Sequence, residues 1–538
     1  MAEAQAGAVE ERPSGEPPAA SSTRAEPWPG SEPQERPSDW GSLVADLSKG
    51  DGLRPAWRIH DRTHLEFALD YLVAPGGRTS EHEWEAYFFV PDSLRIDDKT
   101  YDKQDIYFDL ASYIRFAVPE VPFSEIARGP IERLHEVVES GEEPAMVREL
   151  RLFACLVRAA GVTARRSISD ALSDGDTDRR TRALAATARM VSDARHIAEG
   201  LRTVLAHLPT GDDTLDTAAR WVDEDVSRLL ETLMGNLSVH LDEAGAPEAL
   251  RRSVVDAALA EARYRRDEGL DGVGHDGADK QEIEHLEFRR HVLKRFTSSV
   301  LWLDPEVREA ARMVLHVLYA LAAGVAMAFA VTAALWNGDP MQSNDRLWMW
   351  GVIAVLAYMA KDRIKAWLQG AFSSVVSRHF PDRRWRLRDR ERGVVIGEVD
   401  EQSAFVPFGE LPEPVLEQRR STRRHPLEEQ ARPEKVLWHR KLVRLSTAEV
   451  ARADERFDAL TEIFRLDLRR WLAHTDDPKR KIVFADPQSG RVCSAIAPRV
   501  YNLGIVYRLR TVGDESADWH RLRVVVTRKG IRRIDHIS

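Results

Sequence analysis

From residue 122 to 300, apolar side chains recur at the three- and four-residue spacing of an α-helix, interrupted by the polar turns SDGDTD, PTGDD, EAGAP and EGLDGVGHDGAD. Met190, Ala194, Ile197, Leu201, Val204 and Leu208 follow a 4-3-4-3-4 seam. This predicts a helical bundle or coiled-coil region over 121–300, packed within the chain or between copies.

On either side of this region the period shortens towards two. HLEFALDYLV from His64 and HEWEAYFFV from His82 flank the turn-forming APGGRTSE and predict a β-hairpin. In DKQDIYFDLASYIRFA, Ile106, Leu110, Ile114 and Ala117 fall on one helical face, so residues 41–120 are expected to form a small α+β domain. After residue 380, GVVIGEV, KVLWHRKLVRL, KIVFA, RVCSAIA, LGIVYRLRTV and HRLRVVVTRKGIRRIDHI predict strands, the last two joined through GDESAD. One helix, ERFDALTEIFRLDLRRWLAH, and an exposed loop near 411–434 interrupt them. A β-rich cytoplasmic domain over 381–538 is the expectation.

Neither period describes residues 313–336, MVLHVLYALAAGVAMAFAVTAALW, which contain no Asp, Glu, Lys or Arg. At 1.5 Å per residue they reach roughly 36 Å, enough to cross a bilayer. A second span is expected over 345–362, although its uncharged core, Leu347–Ala360, covers only roughly 21 Å. Charge decides in its favour. Lys294, Arg295, Arg308 and Arg312 precede the first segment, Lys361, Arg363, Lys365 and Arg378 follow the second, and the linker between them is acidic. A single crossing would carry the Arg-dense RRWRLRDRER outward, so a two-helix transmembrane hairpin within 301–380 is predicted. Trp302, Trp336, Trp348, Trp350 and Trp367 fall near its expected interfaces.

Residues 361–379 read as a helical extension along the cytoplasmic surface, and Ala320, Gly324 and Ala328 form a small-xxx-small ridge for helix packing. Lys361, Arg363 and Lys365, with Arg383, Arg384 and Arg386, are the candidate contacts for anionic lipid; nucleic acid is disfavoured beside a membrane.

Composition adds a division of charge. The net −10 hides 37 Lys and Arg against 26 Asp and Glu after residue 360, and 40 against 61 before it. Two domains of opposite sign are therefore expected to dock on each other. Residues 1–40, rich in Pro, Glu, Ser and Ala, predict a disordered tail without a signal peptide. Two distant cysteines exclude a disulfide framework or a thiolate metal cluster. The preference for Arg over Lys, 65 to 12, suggests a GC-rich bacterial genome.

Chemical signatures are sparse. GVGHDG, Gly272 to Gly277, spells GxGxxG but follows a helical segment and carries acidic neighbours, so it reads as a linker. His60 and His64 belong to a turn. No catalytic, metal or cofactor residue is assigned. Asp339, in the outer loop, would form an acidic ring at a pore mouth if the chain assembled symmetrically. CorA-type magnesium channels and mitochondrial calcium uniporters share the two-span architecture. The Gly-Met-Asn of the former is absent, however, and the Trp-Asp-x-x-Glu-Pro of the latter is unmatched.

The sequence thus predicts a multidomain, two-pass bacterial inner-membrane protein with both termini cytoplasmic, acting as a membrane-anchored scaffold or signalling module. An oligomeric ion channel is the alternative, and an enzyme without a local motif the third reading. The bilayer, a second copy and a cytoplasmic protein are the expected partners.

Overall fold

The structure, a computed structural model, describes residues 56–538 except 75, 77, 210, 271–273, 276, 309–311, 337–346, 421–433, 514–517 and 538. The expected tail and Asp339 lie outside the described residues. In chain order the elements before the long helices are β1 (Ala56–Ile59), β2 (His64–Leu72), β3 (Thr79–Pro91), α1 (Lys103–Asp109) and β4 (Leu110–Phe116). There follow α2 (Gly129–Ser140), α3 (Glu143–Ser173), α4 (Thr177–Leu205), α5 (Asp213–Glu243), α6 (Glu248–Asp267), α7 (Lys280–Ser298) and β5 (Leu303–Arg308). Next come α8 (Arg312–Trp336), α9 (Leu347–His379), β6 (Arg383–Asp389), β7 (Val395–Val406), α10 (Glu413–Arg420) and β8 (Glu434–Ser446). The chain ends with α11 (Thr447–Ala453), β9 (Ala459–Asp467), α12 (Arg469–Leu472), β10 (Lys479–Asp486), β11 (Arg491–Pro498), β12 (Tyr501–Thr511), β13 (His520–Thr527) and β14 (Gly530–Ile537).

The chain is multidomain, with helices and antiparallel sheets, but its divisions are not consecutive segments. An eight-stranded sheet has the order β14-β13-β12-β3-β8-β7-β6-β5, and a four-stranded sheet the order β1-β2-β9-β4. Segments 41–120 and 381–538, expected as separate domains, therefore share both sheets. β3 lies between β12 and β8, and β9 between β2 and β4. The sheets face each other over one core in which Phe67 meets Trp84 and Phe464, with ring centroids 4.8 and 4.4 Å apart.

The expected hairpin of β2 and β3 does not form. β2 pairs with β1 and β9, and β3 with β12 and β8, so the APGGRTSE turn switches the chain between sheets. Two expected helices are largely strands. Only Lys103–Asp109 is helical in the first, capped by the Asp102 side chain, and the chain then extends into β4. In the second, Ala459–Asp467 is a strand whose residues are buried except the half-buried Arg465, because it is central in its sheet and covered by the larger sheet. A strand buried on both faces loses the period of two that would identify it.

Helices α2 to α7 form a body with its own core. The 190–208 seam packs inside it: Met190, Ala194, Ile197, Leu201 and Val204 are buried among residues of α3 and α5, which makes the packing intramolecular. Gly161 and Gly200 permit close approach, since a Cβ would lie 2.4 Å from Leu233 and 2.5 Å from Ile131 respectively. GVGHDG joins α6 to α7, with a helix and not a strand before it.

The charge division is resolved within the fold. Carboxylates of the acidic half meet arginines of the basic half in the pairs Glu66–Arg465, Glu83–Arg440, Glu83–Arg510, Glu85–Arg508, Asp105–Arg470 and Glu149–Arg456. Opposite charges join strands and bodies of one interwoven structure instead of docking two independent domains.

α8 and α9 pack against each other and are an excursion from the edge of the large sheet. Only Val314–Ala333 is long and apolar enough to cross a membrane among the described residues, and 11% of that stretch is buried. It is not a core helix. α9 runs unbroken over 33 residues through the stretches expected as a second span and a surface helix, and no described part of it meets the same test of length and apolarity.

Candidate functional site

The period of two along β8 carries a charge into the core. Leu437, His439, Lys441, Val443 and Leu445 point inward, while Trp438, Arg440 and Arg444 point outward. β7 sets Glu401 opposite Lys441 and Ser403 opposite His439. The smaller sheet contributes Glu462 from β9, Ser112 from β4 and Tyr71 from β2.

Lys441 Nζ donates to Glu401 Oε1 at 2.6 Å, to Ser112 Oγ at 3.1 Å and to Glu462 Oε1. Tyr71 Oη donates to Glu462 Oε2 at 2.5 Å. Lys441 and Glu462 are fully buried and Glu401 nearly so. Burial alone would lower the Lys441 pKa, but the two carboxylates outweigh it and hold the value above the ordinary one. Burial, followed by the Glu462 charge, raises the Tyr71 phenol well above its usual range. His439 is driven the other way, first by burial and then by the Lys441 charge, so its ring is neutral. Its Nδ1 lies 2.7 Å from Ser403 Oγ, while its Nε2 and Glu401 Oε2 have no hydrogen-bond partner among the described residues.

This cluster is tied to the base of the helix pair. Asp382 stands between α9 and β6. Its carboxylate accepts from Tyr107 Oη at 2.8 Å, from the Ser403 amide at 3.0 Å and from Lys103 Nζ, while its own amide donates to the Glu401 carbonyl at 2.8 Å. A protonated lysine between two carboxylates is a poor nucleophile, so the chemistry on offer is electrostatic cross-linking of the sheets.

A groove of about 720 Å³ adjoins this cluster, with Leu72, Ser80, His82, Asp458 and Thr511 in its lining and the His82 ring centroid 5.6 Å from that of Tyr71. His82 Nε2 donates to the Leu72 carbonyl at 2.7 Å and its Nδ1 lies 3.3 Å from Thr511 Oγ1. Burial lowers the His82 pKa, so its ring nitrogens hold the sheets together in the neutral form. Among the described residues, no group of three or more His, Cys, Asp or Glu is arranged to hold a metal ion.

The cationic residues singled out from the sequence separate into two sets. Arg363 and Lys365 are exposed on α9, whereas Lys361 is half-buried with its ammonium 3.8 Å from the Tyr358 ring centroid. On β6, Arg383 lies 4.3 Å from the Tyr107 ring centroid, Arg384 pairs with Asp400 at 2.6 Å and Arg386 with Glu398 at 3.2 Å. Trp385 and Leu387 enter the core, so the alternation of RRWRLR serves sheet packing and charge pairing.

The small residues expected as a packing ridge are not the ones buried within this chain. Ala320, Gly324 and Ala328 are exposed, and a Cβ on Gly324 would meet nothing within 4 Å. Ala322 and Ala326, one helical turn apart, are the buried small residues instead. Sequence reasoning missed Lys441, Glu401, Glu462 and His439. The inward phase of His439 and Lys441, shared with Leu437 and Val443, was the available signal. No family model matches the sequence, and no curated protein is significantly similar to it.

Proposed function

We propose that the protein is a two-pass integral membrane protein of a bacterial inner membrane. Its soluble body, woven from both ends of the chain, stands on the cytoplasmic side as a scaffold or regulatory module. The supporting observation is the antiparallel pairing of β5 with β6, which sets Arg308 opposite Arg384 and returns the chain to the point where it left the sheet. Since β3 is enclosed by β8 and β12, the segments before α8 and after α9 must share one side of any bilayer. If α8 crosses, α9 has to cross back.

α9 has sufficient length for this, at roughly 50 Å for 33 residues, and Trp348, Val352, Val355, Leu356, Tyr358 and Met359 are exposed along it. On α8, Val317, Leu321, Met327, Phe329 and Leu335 are likewise exposed, an apolar surface that lipid would cover. Arg363 and Lys365 near the returning end favour the cytoplasmic side for the soluble body.

A reporter inserted within 337–346 is expected to register outside the cytoplasm, reporters at both termini inside, and the chain to resist alkaline carbonate extraction. Recovery of the untagged chain from the soluble fraction without detergent would overturn the proposal.

A further inference from the structure

β10 and β11 form a two-stranded ribbon outside both larger sheets. All of their residues are exposed except the half-buried Asp486, Cys493 and Ala497. Ribbons of this kind ordinarily need a third strand or a covering surface for stability. The register sets Lys481 opposite Ile496, Val483 opposite Ser494 and Ala485 opposite Val492 on one face. Ile482 stands opposite Ala495 and Phe484 opposite Cys493 on the other face. Val483, Val492 and Ile496 are thus exposed on one side and Ile482 and Phe484 on the other. Lys479, Arg480, Lys481 and Arg491 supply four positive charges within the strands against the single Asp486.

Its place in the fold supplies the second argument. The ribbon precedes Tyr501, the first residue of β12, and the antiparallel steps through β3, β8 and β7 make β12 and β6 run in the same sense, so that both strands start towards the same side of the sheet. The ribbon and the α8–α9 pair therefore leave the large sheet beside strand starts of the same sense, in register rows nine residues apart, since the row of Arg308 and Arg384 meets β12 at Arg510. We propose that the ribbon is a second membrane contact: it lays its apolar side chains into the headgroup region of an anionic leaflet while its cations meet lipid phosphates. The inference rests on α8–α9 being a membrane anchor. An anionic bilayer suits side chains exposed on both faces and the cationic excess, whereas a second ribbon would bring like charges together. At about 3.4 Å per residue each eight-residue strand reaches about 27 Å.

The chain carries its own probe position. Cys493 lies on the ribbon, whereas Cys155 is buried, with burial pushing its thiol up to about 12, so an environment-sensitive fluorophore can be placed on Cys493 selectively. The full chain is reconstituted into vesicles of equal phosphatidylglycerol and phosphatidylcholine, and separately into phosphatidylcholine alone. The emission is expected to shift to the blue and to be quenched by spin-labelled lipid in the anionic vesicles only. The combined variant Lys479→Gln, Arg480→Gln, Lys481→Gln is expected to weaken this contact by about a hundredfold.

An unshifted, unquenched label on a chain that resists carbonate extraction would overturn the ribbon contact while leaving the anchor intact. A shift that follows the protein-to-lipid ratio in either vesicle would also overturn it, in favour of contact between copies. Extraction of the chain by carbonate would overturn the anchor reading, and the inference with it.

Discussion

Lys441 is a buried charge whose energetic consequence depends on its partners. Removal by Lys441→Met leaves Glu401 and Glu462 facing each other between the sheets without their shared cation. The expected loss is roughly 3–5 kcal/mol, the usual consequence of breaking a buried ion pair from one side. The combined variant Lys441→Met, Glu401→Leu, Glu462→Leu removes the charges together and is expected to recover most of that loss. Desolvating three charges costs about as much as their attraction returns. Chemical denaturation of the detergent-solubilised chain distinguishes the two, and a triple variant as unstable as the single one would show that Lys441 acts through packing instead. Tyr71 and Ser112 also donate to Glu462, so the leucine there must repack against them.

At the level of the element, the strand segments of β7, β8 and β10 to β14 were legible because they alternate or end in clear turns. So were the helical region and the uncharged segment that became α8. Pairing was not legible. Nothing in HLEFALDYLV and HEWEAYFFV distinguishes a hairpin from two strands that part at the turn, because partners hundreds of residues away decide the outcome. β4 and β9 were hidden for a related reason: burial on both faces of β9 left Leu460, Ile463, Phe464 and Leu466 at spacings that fit a helix equally well. The site suffered most, since Lys441, Glu401 and Glu462 converge from two sheets.

One glycine reports on the long-range closure. Gly530 has φ +124°, and a Cβ there would lie 2.0 Å from the Arg62 carbonyl oxygen, which accepts the Ile531 amide at 2.7 Å. Gly530→Ala is expected to lose more stability than Gly513→Ala, at φ +99° with nothing within 4 Å, where only backbone strain of roughly 1–3 kcal/mol applies. Equal losses in denaturation would remove the contact between Arg62 and β14 from the account.

At the scale of the whole molecule, α8 and α9 interrupt a sheet that is continuous without them. Arg308 and Arg384 are register partners, so the backbone at the two ends of the excursion is already one strand spacing apart, about 4.8 Å. A short turn of about four residues can close such a gap. Replacing residues 310–380 by that turn, with Asp382 kept for its contacts to Tyr107 and Ser403, should therefore leave both sheets and the helical body intact. The hydrophobic cores between the sheets and within the helical body draw almost nothing from α8 or α9, so their loss should not open either. The shortened chain is expected to be soluble without detergent, to unfold cooperatively and to keep the far-ultraviolet signature of mixed helix and sheet. By contrast, residues 381–538 alone are expected to aggregate, because β8 and β12 would each lose the partner that β3 provides and expose long apolar edges. If the shortened chain aggregated while 381–538 folded alone, the helix pair would be part of the folding unit and β3 dispensable, reversing the architecture that connects the two ends of the sequence.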